Sequence, residues 1–411
     1  MIDDTTSEKR EAAGRHATNL ELFIDLVFVF AISQLTKLLG ADISVAGIGK
    51  GLVVAWTVWW VWGQFTWLGT AVDLDRDVST RLTFLASILP TLFMAIAIPG
   101  AFTDTGPQFG LAVLGGSLWA MFLQGRGLWD ERGTRTAFVR YASLAVIGPL
   151  IIGVGGFVGA AARPWVWAGA ALFGVAGAVA SGGKDELAGD SQWRIDPVHF
   201  SERHALFVII VLGEVLVAIG AAATAQPLTW ATGWAVVAAA YFATVVFWSY
   251  FGFVAQFGEM MLRQGDARQR TATARSFFTF GHFPLIAGIA CLATVIEHVV
   301  AHPDEHLHVE ELSLLMVAIV LVLGAFMTMH WTSARGIAPE RPVAAAACGA
   351  VLLVAGEHLP AAAILAVVAI VLTVMQAITV NRFQQINPFG SADLRRSVDG
   401  RSVPRASRRR R

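Results

Sequence analysis

The sequence predicts an all-α polytopic membrane protein with about 12 transmembrane helices, arranged as two parallel six-helix repeats. Its composition, its recurring apolar runs and the distribution of its basic residues all indicate this fold class. Hydrophobic residues make up 55% of the 411 residues, charged residues make up only 15%, and the mean hydropathy is +0.61. Because soluble domains carry about 25% charged residues, a chain this poor in charge is expected to bury its surface in lipid.

Apolar runs of spanning length recur along the whole chain. A hydrocarbon core about 30 Å thick requires about 20 apolar residues in each helix. By this criterion the predicted spanning helices cover residues 20–39, 51–72, 82–101, 109–127, 138–160, 164–181, 204–223, 232–256, 276–299, 311–332, 343–357 and 360–380. Only a short break separates the last two, so a re-entrant pair is the alternative for them.

Basic residues indicate the orientation of these helices. With the N-terminus in the cytoplasm, all but three of the 30 Lys and Arg residues fall in cytoplasmic segments, and the exceptions are Lys37, Lys50 and Arg163. An excess of Lys and Arg marks the cytoplasmic loops of membrane proteins. The sequence therefore predicts a multi-pass protein of the cell inner membrane with both termini in the cytoplasm.

The two halves of the chain share a spacing pattern that indicates an internal repeat. Trp59 is followed by Asp77 and Arg81, and Trp248 is followed at the same spacing by Asp266 and Arg270. The four charged side chains are interpreted as ion pairs of intracellular loops. The predicted organisation is an N-terminal segment, a first repeat, a linker, a second repeat and a basic disordered tail, over residues 1–19, 20–183, 184–200, 201–382 and 383–411.

Two carboxylates lie in the first predicted helix. Glu21 and Asp25 are one helical turn apart and therefore share one helix face. A charge at bilayer depth costs about 2.5 kcal/mol or more, and two adjacent carboxylates repel each other, which favours binding of a proton or a cation. The alternative is that Glu21 lies at the interface while Asp25 pairs with an arginine of another helix.

The seventh predicted helix carries a second group of charges. Glu202 and Arg203 stand at its cytoplasmic start, and Glu214 lies about three turns deeper. Capping of the helix by Asp196 or Ser201, together with an ion pair between Glu202 and Arg203, is the simpler explanation of the first two. Glu214 is too deep for that explanation, so its position favours a role in ion binding.

Other polar side chains form two further groups of candidates. Gln34 ends the first helix, and His282 precedes Pro284, where freed backbone carbonyls can help to bind an ion. The second group offers imidazoles for a divalent metal in an outer loop, at His298, His302, His306 and His308. A hydrophilic loop that binds no metal is the alternative, and no cofactor is predicted.

Two segments resemble the bacterial low temperature requirement protein A (LtrA) family. The run ELFIDLVFVFA that begins at Glu21 resembles the opening motif of the family, and the run HFSERHALFVIIVLGE that begins at His199 resembles its second signature. The sequence departs from these motifs at Ile24 and His204, and neither change removes a charged motif residue. The resemblance covers residues 18 to about 385 and implies a polytopic membrane protein, without an established reaction or substrate.

A fainter likeness connects the first helix to the two-repeat potassium channels of endosomes and lysosomes. The residues from Phe23 to Phe28 are similar to the channel motif around its aspartate. The serine and glycine of that motif are replaced here, and Leu206 stands where the second repeat of the channels carries its aspartate.

The favoured hypothesis is a transporter or channel that moves a small ion or solute by means of buried carboxylates. An intramembrane enzyme acting on lipid or isoprenoid substrates is the first alternative, with a polar cluster of Glu202, Arg203, His204 and Asp77. A structural or sensory membrane protein that acts through partners is the second. The predicted partners are the small ion or solute, membrane lipids, with anionic headgroups at the Arg-rich tail, and a second copy of the chain, with no nucleic acid.

Overall fold

The computed structural model describes residues 15–128, 132–181, 195–334 and 338–386. Regular structure in these ranges is helical, apart from an isolated β-bridge between His306 and Pro360. The first half contains α1 (Asn19–Ala41), α2 (Val45–Ala71), α3 (Val78–Leu85), α4 (Ile88–Ala97), α5 (Gly106–Leu128), α6 (Arg132–Ala145), α7 (Ile147–Gly155) and α8 (Arg163–Ser181). The second half contains α9 (Pro197–Thr224), α10 (Trp230–Ser249), α11 (Ala255–Gln264), α12 (Ala267–Thr273), α13 (Gly281–Ala301), α14 (Val309–Ala334), α15 (Glu340–Ala355) and α16 (Ala361–Ile386). Two π-helical stretches, Tyr250–Val254 and Ala274–Phe280, join α10 to α11 and α12 to α13.

Prolines explain three interruptions of these helices. Proline has no backbone N–H, so the carbonyl one turn earlier loses its helical hydrogen bond. The carbonyls affected by Pro90, Pro149 and Pro284 are those of Ala86, Ala145 and Phe280. The break between α3 and α4, the break between α6 and α7 and the end of the second π-helical stretch fall at these residues. Three of the predicted spanning helices therefore each consist of two consecutive helical segments.

Nine helical segments of the described residues are long and apolar enough to cross a membrane. They are Asn19–Ala41, Val45–Thr70, Val78–Ala97, Gly106–Gly127, Pro197–Thr224, Trp230–Gln264, Ala267–Ala301, Val309–Thr332 and Ala361–Arg382. The predicted spans 138–160, 164–181 and 343–357 also fall on helices, but these are not among the nine. The fifth is shorter in its apolar part, over Ala142–Gly155, and α15 has only 16 residues. The count of twelve spans remains a prediction.

One predicted boundary in the middle of the chain differs from the structure, and parts of the linker and of both ends lie outside the described ranges. The seventh helix begins at Pro197 rather than near residue 204, because Asp196 caps it and Pro197 occupies its first turn. Within the predicted linker, residues 184–194 lie outside the described ranges. The N-terminal segment up to position 14 and the basic tail from position 387 onward also lie outside them.

The two halves pack in a matching order. In the first half, α1 contacts α2 and α4, and α2 contacts α8. In the second half, α9 contacts α10 and α13, and α10 contacts α16. Since α4, α8, α13 and α16 belong to the third, sixth, ninth and twelfth predicted spans, equivalent pairs of spans contact each other in each half.

The interface between the halves is built around α13. Among the nine candidate spans, Ala267–Ala301 is the most deeply buried, since 78% of the residues in its most apolar stretch are buried. Helix α13 contacts α9, α10 and α14 in its own half and α1 and α2 in the other. Helix α9 also contacts α1 and α2 directly. Four helices, α1, α2, α9 and α13, therefore form the contact between the halves.

The connection between α15 and α16 lies at the same end of the bundle as the loop between α13 and α14. The backbone N–H of Ala361 donates to the carbonyl of Glu305, and His306 Nδ1 lies 3.0 Å from the carbonyl oxygen of Leu359. We call this end the far face and the end at which α1 begins the N-terminal face. Helix α15 therefore ends at the far face, and its membrane span stays a prediction.

Arg163, one of the three basic residues outside the cytoplasmic segments, is buried at the far face. Its guanidinium donates to the carbonyl oxygens of Ala101 and Thr103, each at 3.0 Å, and to that of Val158 at 3.1 Å. A Cβ atom at Gly106 would overlap this guanidinium, so the glycine makes room for it. Arg163 is explained by these carbonyls, which it ties together across two loops.

Replacing Arg163 is expected to destabilise the far face. Arg163→Met leaves three carbonyl oxygens without their charged donor, which should lower the free energy of unfolding by roughly 2–5 kcal/mol. The matched control is Arg126→Met, because Arg126 is exposed and makes one side-chain contact with Thr83. Thermal unfolding of the purified proteins in detergent measures the difference, and equal melting temperatures of the two variants would contradict the role of Arg163.

Candidate functional site

The carboxylate of Glu21 is bound at the N-terminus of its own helix, α1. Thr18 caps the helix, and its backbone N–H and hydroxyl donate to Glu21 Oε2 at 2.9 and 3.1 Å. In return, the backbone N–H of Glu21 donates to Thr18 Oγ1, which completes a capping box. Glu21 thus occupies the third position of the helix, where the positive end of the helix dipole stabilises an anion.

The start of α9 places a basic side chain at the equivalent position. Asp196 caps α9 by accepting the backbone N–H groups of Val198 and His199 at 2.9 and 3.1 Å. His199 is therefore the third residue of α9, as Glu21 is of α1. One turn further, Arg203 on α9 corresponds to Asp25 on α1.

These four side chains form two hydrogen-bonded ion pairs between α1 and α9, and Arg203 Nη1 also lies 4.0 Å from Glu21 Oε1. His199 Nε2 lies 2.9 and 3.0 Å from the two carboxylate oxygens of Glu21, and Arg203 Nη2 donates to Asp25 Oδ1 at 2.9 Å. The sequence separation is 178 in each pair, so the order of the pairs is the same along both helices. Helices α1 and α9 therefore run parallel and begin at the same face. We call Glu21, Asp25, His199 and Arg203 the charge cluster.

The charge cluster is removed from solvent. Its side chains are each at most 1% exposed. Trp62 on α2 donates its indole N–H to Asp25 Oδ1 at 2.9 Å, and the guanidinium of Arg203 lies 5.9 Å from the Trp62 ring centroid. Because buried ions lose their hydration, the cluster depends on these internal partners.

A glycine of α2 allows the helices to close over the Glu21–His199 pair. A Cβ atom at Gly69 would overlap Glu21 Oε1 and would lie 3.1 Å from His199 Cε1. Any larger residue at position 69 would therefore displace one member of the pair. Glycine in this helix thus serves a close approach of side chains from two other helices.

Several polar atoms of the charge cluster have no hydrogen-bond partner among the described residues. They are Asp25 Oδ2, His199 Nδ1, Arg203 Nε and Arg203 Nη1. Trp62 and Arg203 both donate to Oδ1 of Asp25, which leaves its second oxygen unsatisfied. A buried unsatisfied polar atom costs about 1–3 kcal/mol, so an ordered water or a bound ligand at these four atoms would stabilise the cluster.

A short segment before α1 covers the cluster at the N-terminal face. The backbone N–H of Arg15 donates to Asp196 at 2.7 Å, and that of Ala17 donates to Glu202 at 2.9 Å. His16 Nδ1 lies 3.1 Å from the same Glu202 carboxylate. Glu202 therefore holds residues 15–18 against α9, and it does not pair with Arg203. We call residues 15–18 the N-terminal strap.

His282 belongs to a second buried polar group beside the charge cluster. Its Nε2 lies 2.8 Å from the hydroxyl of Tyr250, and its ring centroid lies 5.1 Å from that of His204. His204 in turn contacts Trp62 edge to face, at 5.0 Å between centroids. The imidazole of His282 thus connects α13 through His204 to Trp62, which borders the cluster.

Glu214 lies further along α9, toward the far face. It is half-buried, and its carboxylate hydrogen-bonds Ser33 of α1. Lys37 and Glu297 are close enough to interact with it electrostatically. Gln34 is buried on α1 beside this group, at 7% exposure. Glu214 and the charge cluster therefore lie on the same pair of helices, about 16 Å apart along α9 from Arg203 at about 1.5 Å per residue.

The residues predicted to form loop ion pairs have other partners. Asp77 caps α3, and the backbone N–H and hydroxyl of Thr80 lower the pKa of its carboxyl. Arg81 pairs with Asp75 instead, at 3.1 Å. Asp266 caps α12 in the same way, and Arg270 donates to the carbonyl of Leu262. The predicted pairs fail because a capping aspartate points back at its own helix end.

The loop histidines are dispersed among separate partners. His298 lies 3.1 Å from Glu311, His302 lies 3.4 Å from Glu305, and His306 contacts a backbone carbonyl. The backbone of His308 donates to Glu311. Within the described ranges, no group of three or more His, Cys, Asp or Glu residues could hold a metal ion. The structure therefore provides no support for the predicted metal site.

The residues suggested for an intramembrane enzyme do not converge. Glu202 faces the N-terminal strap, whereas Arg203 and His204 are buried on other sides of α9. Asp77 is used in capping α3. The arrangement instead places opposite charges between two parallel helices, with acceptors and donors left over for a small ligand or a proton.

A helical bundle with nine apolar spans and fully buried ion pairs in its described residues defines this chain as a multi-pass membrane protein. It belongs to the bacterial low temperature requirement A (LtrA) family, whose sequence profile matches residues 16–377. The chain is 31% identical to an uncharacterized protein of Rhizobium meliloti (strain 1021) over 293 residues, which are 69% of each chain. No solved structure is significantly similar to it.

Substitution of Gly69 tests the closeness of the helices at the cluster. Gly69→Ala is expected to lower the free energy of unfolding by about 1–3 kcal/mol, because the added methyl overlaps Glu21. Gly63→Ala is the matched control on the same helix, since a Cβ atom at Gly63 meets nothing within 4 Å. The control should be neutral or slightly stabilising. Thermal unfolding in detergent distinguishes the two, and equal effects would contradict the proposed close approach.

Removal of one charge tests the pair between Asp25 and Arg203. Asp25→Leu leaves Arg203 buried without a counter-charge, which should lower the free energy of unfolding by about 3–5 kcal/mol. The double variant Asp25→Leu/Arg203→Met removes both charges and should recover part of this loss. A double variant whose loss of stability equals the sum of the losses in Asp25→Leu and Arg203→Met, in the same unfolding assay, would show that the two side chains are not coupled.

Proposed function

We propose that this protein transports a small ion or solute across the inner membrane, with the charge cluster as its central binding site. The observation that carries this proposal is the complete burial of Glu21, Asp25, His199 and Arg203 between the two halves of the bundle. Ionisable residues within spanning helices commonly mark ion and substrate pathways. Here they also retain polar atoms, without partners among the described residues, that a ligand can satisfy.

The position of the cluster suits a transport cycle. Transporters built from two repeats bind their substrates at the interface between the repeats and expose the site alternately to each side. The charge cluster lies at the interface between the two halves, at its N-terminal-face end. We propose that the two halves of this chain are such parallel repeats. Their equivalent pairs of contacting spans and the parallel course of α1 and α9 support this proposal.

A second polar group extends the pathway toward the far face. Ser33 and Glu214 lie on the same two helices as the cluster. Between the two groups, Phe28, Phe207 and Val211 are buried and apolar. We assign these apolar side chains the role of a barrier, which must separate when a ligand passes from one polar group to the other. The N-terminal face is assigned to the cytoplasm on the distribution of Lys and Arg.

Flux through purified protein in liposomes tests the transport proposal. Potassium, sodium, protons and divalent cations are each given a gradient, and the wild-type protein is expected to move at least one of them. Asp25→Asn keeps the size of the side chain but removes its charge, so the flux should fall at least about tenfold, or about 1.4 kcal/mol in the barrier. Asp304→Asn is the control, because Asp304 is an exposed loop carboxylate.

Two results would contradict the proposal. The first is the absence of any flux from wild-type protein whose folding in the liposomes has been verified. The second is flux that Asp25→Asn and Asp304→Asn leave equally unchanged, since transport would then bypass the charge cluster. Thermal unfolding of each variant confirms that a lost flux does not reflect a lost fold.

A further inference from the structure

His199 is the imidazole of the charge cluster. A histidine ring carries one or two protons and ordinarily changes between these states near neutral pH, whereas arginine stays protonated. This difference separates the pair formed by His199 from the pair formed by Asp25 and Arg203.

The two ring nitrogens of His199 have different surroundings. Nε2 lies within hydrogen-bond distance of both Glu21 oxygens, while Nδ1 is buried without a partner among the described residues. A carboxylate is only an acceptor, so Nε2 carries the hydrogen in this contact. The lone pair of Nδ1 is then available, and it is the atom at which a second proton can be added.

The charge balance of the cluster changes with that proton. Glu21 and Asp25 carry two negative charges, and Arg203 carries one positive charge. With a neutral His199 the buried cluster has a net charge of minus one, and with an imidazolium it has none. Since an unbalanced buried charge is costly, binding of one proton or one other small cation restores the balance.

Charged groups from each neighbouring element act on His199. Helix α1 contributes two carboxylates and α9 contributes the capping carboxylate, the guanidinium and a second imidazole, which are Glu21, Asp25, Asp196, Arg203 and His204. Helix α2 contributes Gly69 and no charge at this point. Charges of both signs therefore surround the imidazole of His199.

We propose that His199 is the proton-binding site of the transport cycle and that a proton is the transported or coupling ion. This inference rests on the proposed function. In the binding step an N–H bond forms at Nδ1 while an O–H bond of the donating hydronium breaks, and release reverses this exchange. Asp25 and Arg203 pair with each other and act as positioning residues that hold the two helices together. The N-terminal strap covers the Glu21–His199 pair, so proton exchange with the N-terminal face requires the strap to move.

Histidine NMR on the full-length protein in lipid nanodiscs tests this inference without any flux measurement. The chain has 10 histidines, and ¹⁵N labelling of their rings follows each one between about pH 4 and about pH 9, on either side of the ordinary titration of histidine. His199→Gln, which keeps an N–H donor for Glu21, should remove one titrating signal. Glu21→Gln, which keeps the imidazole, should shift the midpoint of that same signal by about one pH unit or more. His306→Gln is the control at the far face and should remove a different signal.

The outcomes separate this inference from the transport proposal. A His199 signal that does not titrate overturns the inference, even if liposomes show flux that depends on Asp25. A His199 signal that titrates and responds to Glu21→Gln supports a proton-binding site, and it does so even if no flux is found. If His199→Gln fails to fold, the signal displaced by Glu21→Gln identifies His199 in the wild-type spectrum. Where proton flux is measurable, loss of that flux in His199→Gln is also expected.

Discussion

Charges that leave water for the interior of a bilayer-embedded bundle need partners of opposite sign, and this requirement determines how the two halves of the protein meet. An acidic pair on α1 and a basic pair on α9 have the same spacing of one helical turn. Parallel helices can satisfy such pairs only in one register, because a shift by one turn leaves a carboxylate and a basic group unpaired at opposite ends. In this parallel arrangement, the electrostatic match thus fixes the axial position of α9 relative to α1.

The packing around the charge cluster follows from the same requirement. Helix α2 approaches closely enough to shield the ion pairs because position 69 is glycine, and its Trp62 supplies the donor that Arg203 alone does not provide to Asp25. Helix α13 fills the remaining side with apolar residues and with His282. A structural ion pair would be stabilised by satisfying each of its polar atoms. This cluster instead retains four that are unsatisfied among the described residues, which is compatible with a site that exchanges a ligand.

Much of the fold could be predicted from the sequence, because lipid requires long apolar helices and their periodic loops are easily recognised. Asp25 and Arg203 are both recognisable as charges in apolar surroundings, and pairing of Asp25 with an arginine is one of the two interpretations. The sequence does not indicate that the arginine is Arg203, since Glu202 stands next to it and looks like its natural partner. Sequence reasoning also misses His199 as the partner of Glu21. A signal for this pairing is present in the sequence. Each of the two helices carries one charged or titratable residue at its third position and a second one a turn later.

Other features depend on the third dimension and leave no local pattern. Gly69 is one of 40 glycines, and only the approach of Glu21 and His199 from two other helices distinguishes it from Gly63. Asp77 and Asp266 have the spacing of an ion pair on a helix, but each stands at a helix end, where the free backbone N–H groups attract its carboxylate more effectively than an arginine one turn away. The end of the π-helical stretch before α13 is similar, because Pro284, which removes the hydrogen bond of the Phe280 carbonyl, lies inside the next helix.

The long stretch of chain between the paired positions has a consequence for biosynthesis. At the usual pace of translation, the first helix is made roughly 10 to 40 seconds before its partner leaves the ribosome. During that interval Glu21 and Asp25 have no basic side chain to neutralise them, and the newly inserted segment must keep them near the aqueous surface or hold them protonated. His199 and Arg203 of the second half thus supply the counter-charges that α1 needs in its final position. A chain interrupted between the halves would leave an incompletely neutralised helix for the membrane quality-control proteases to recognise.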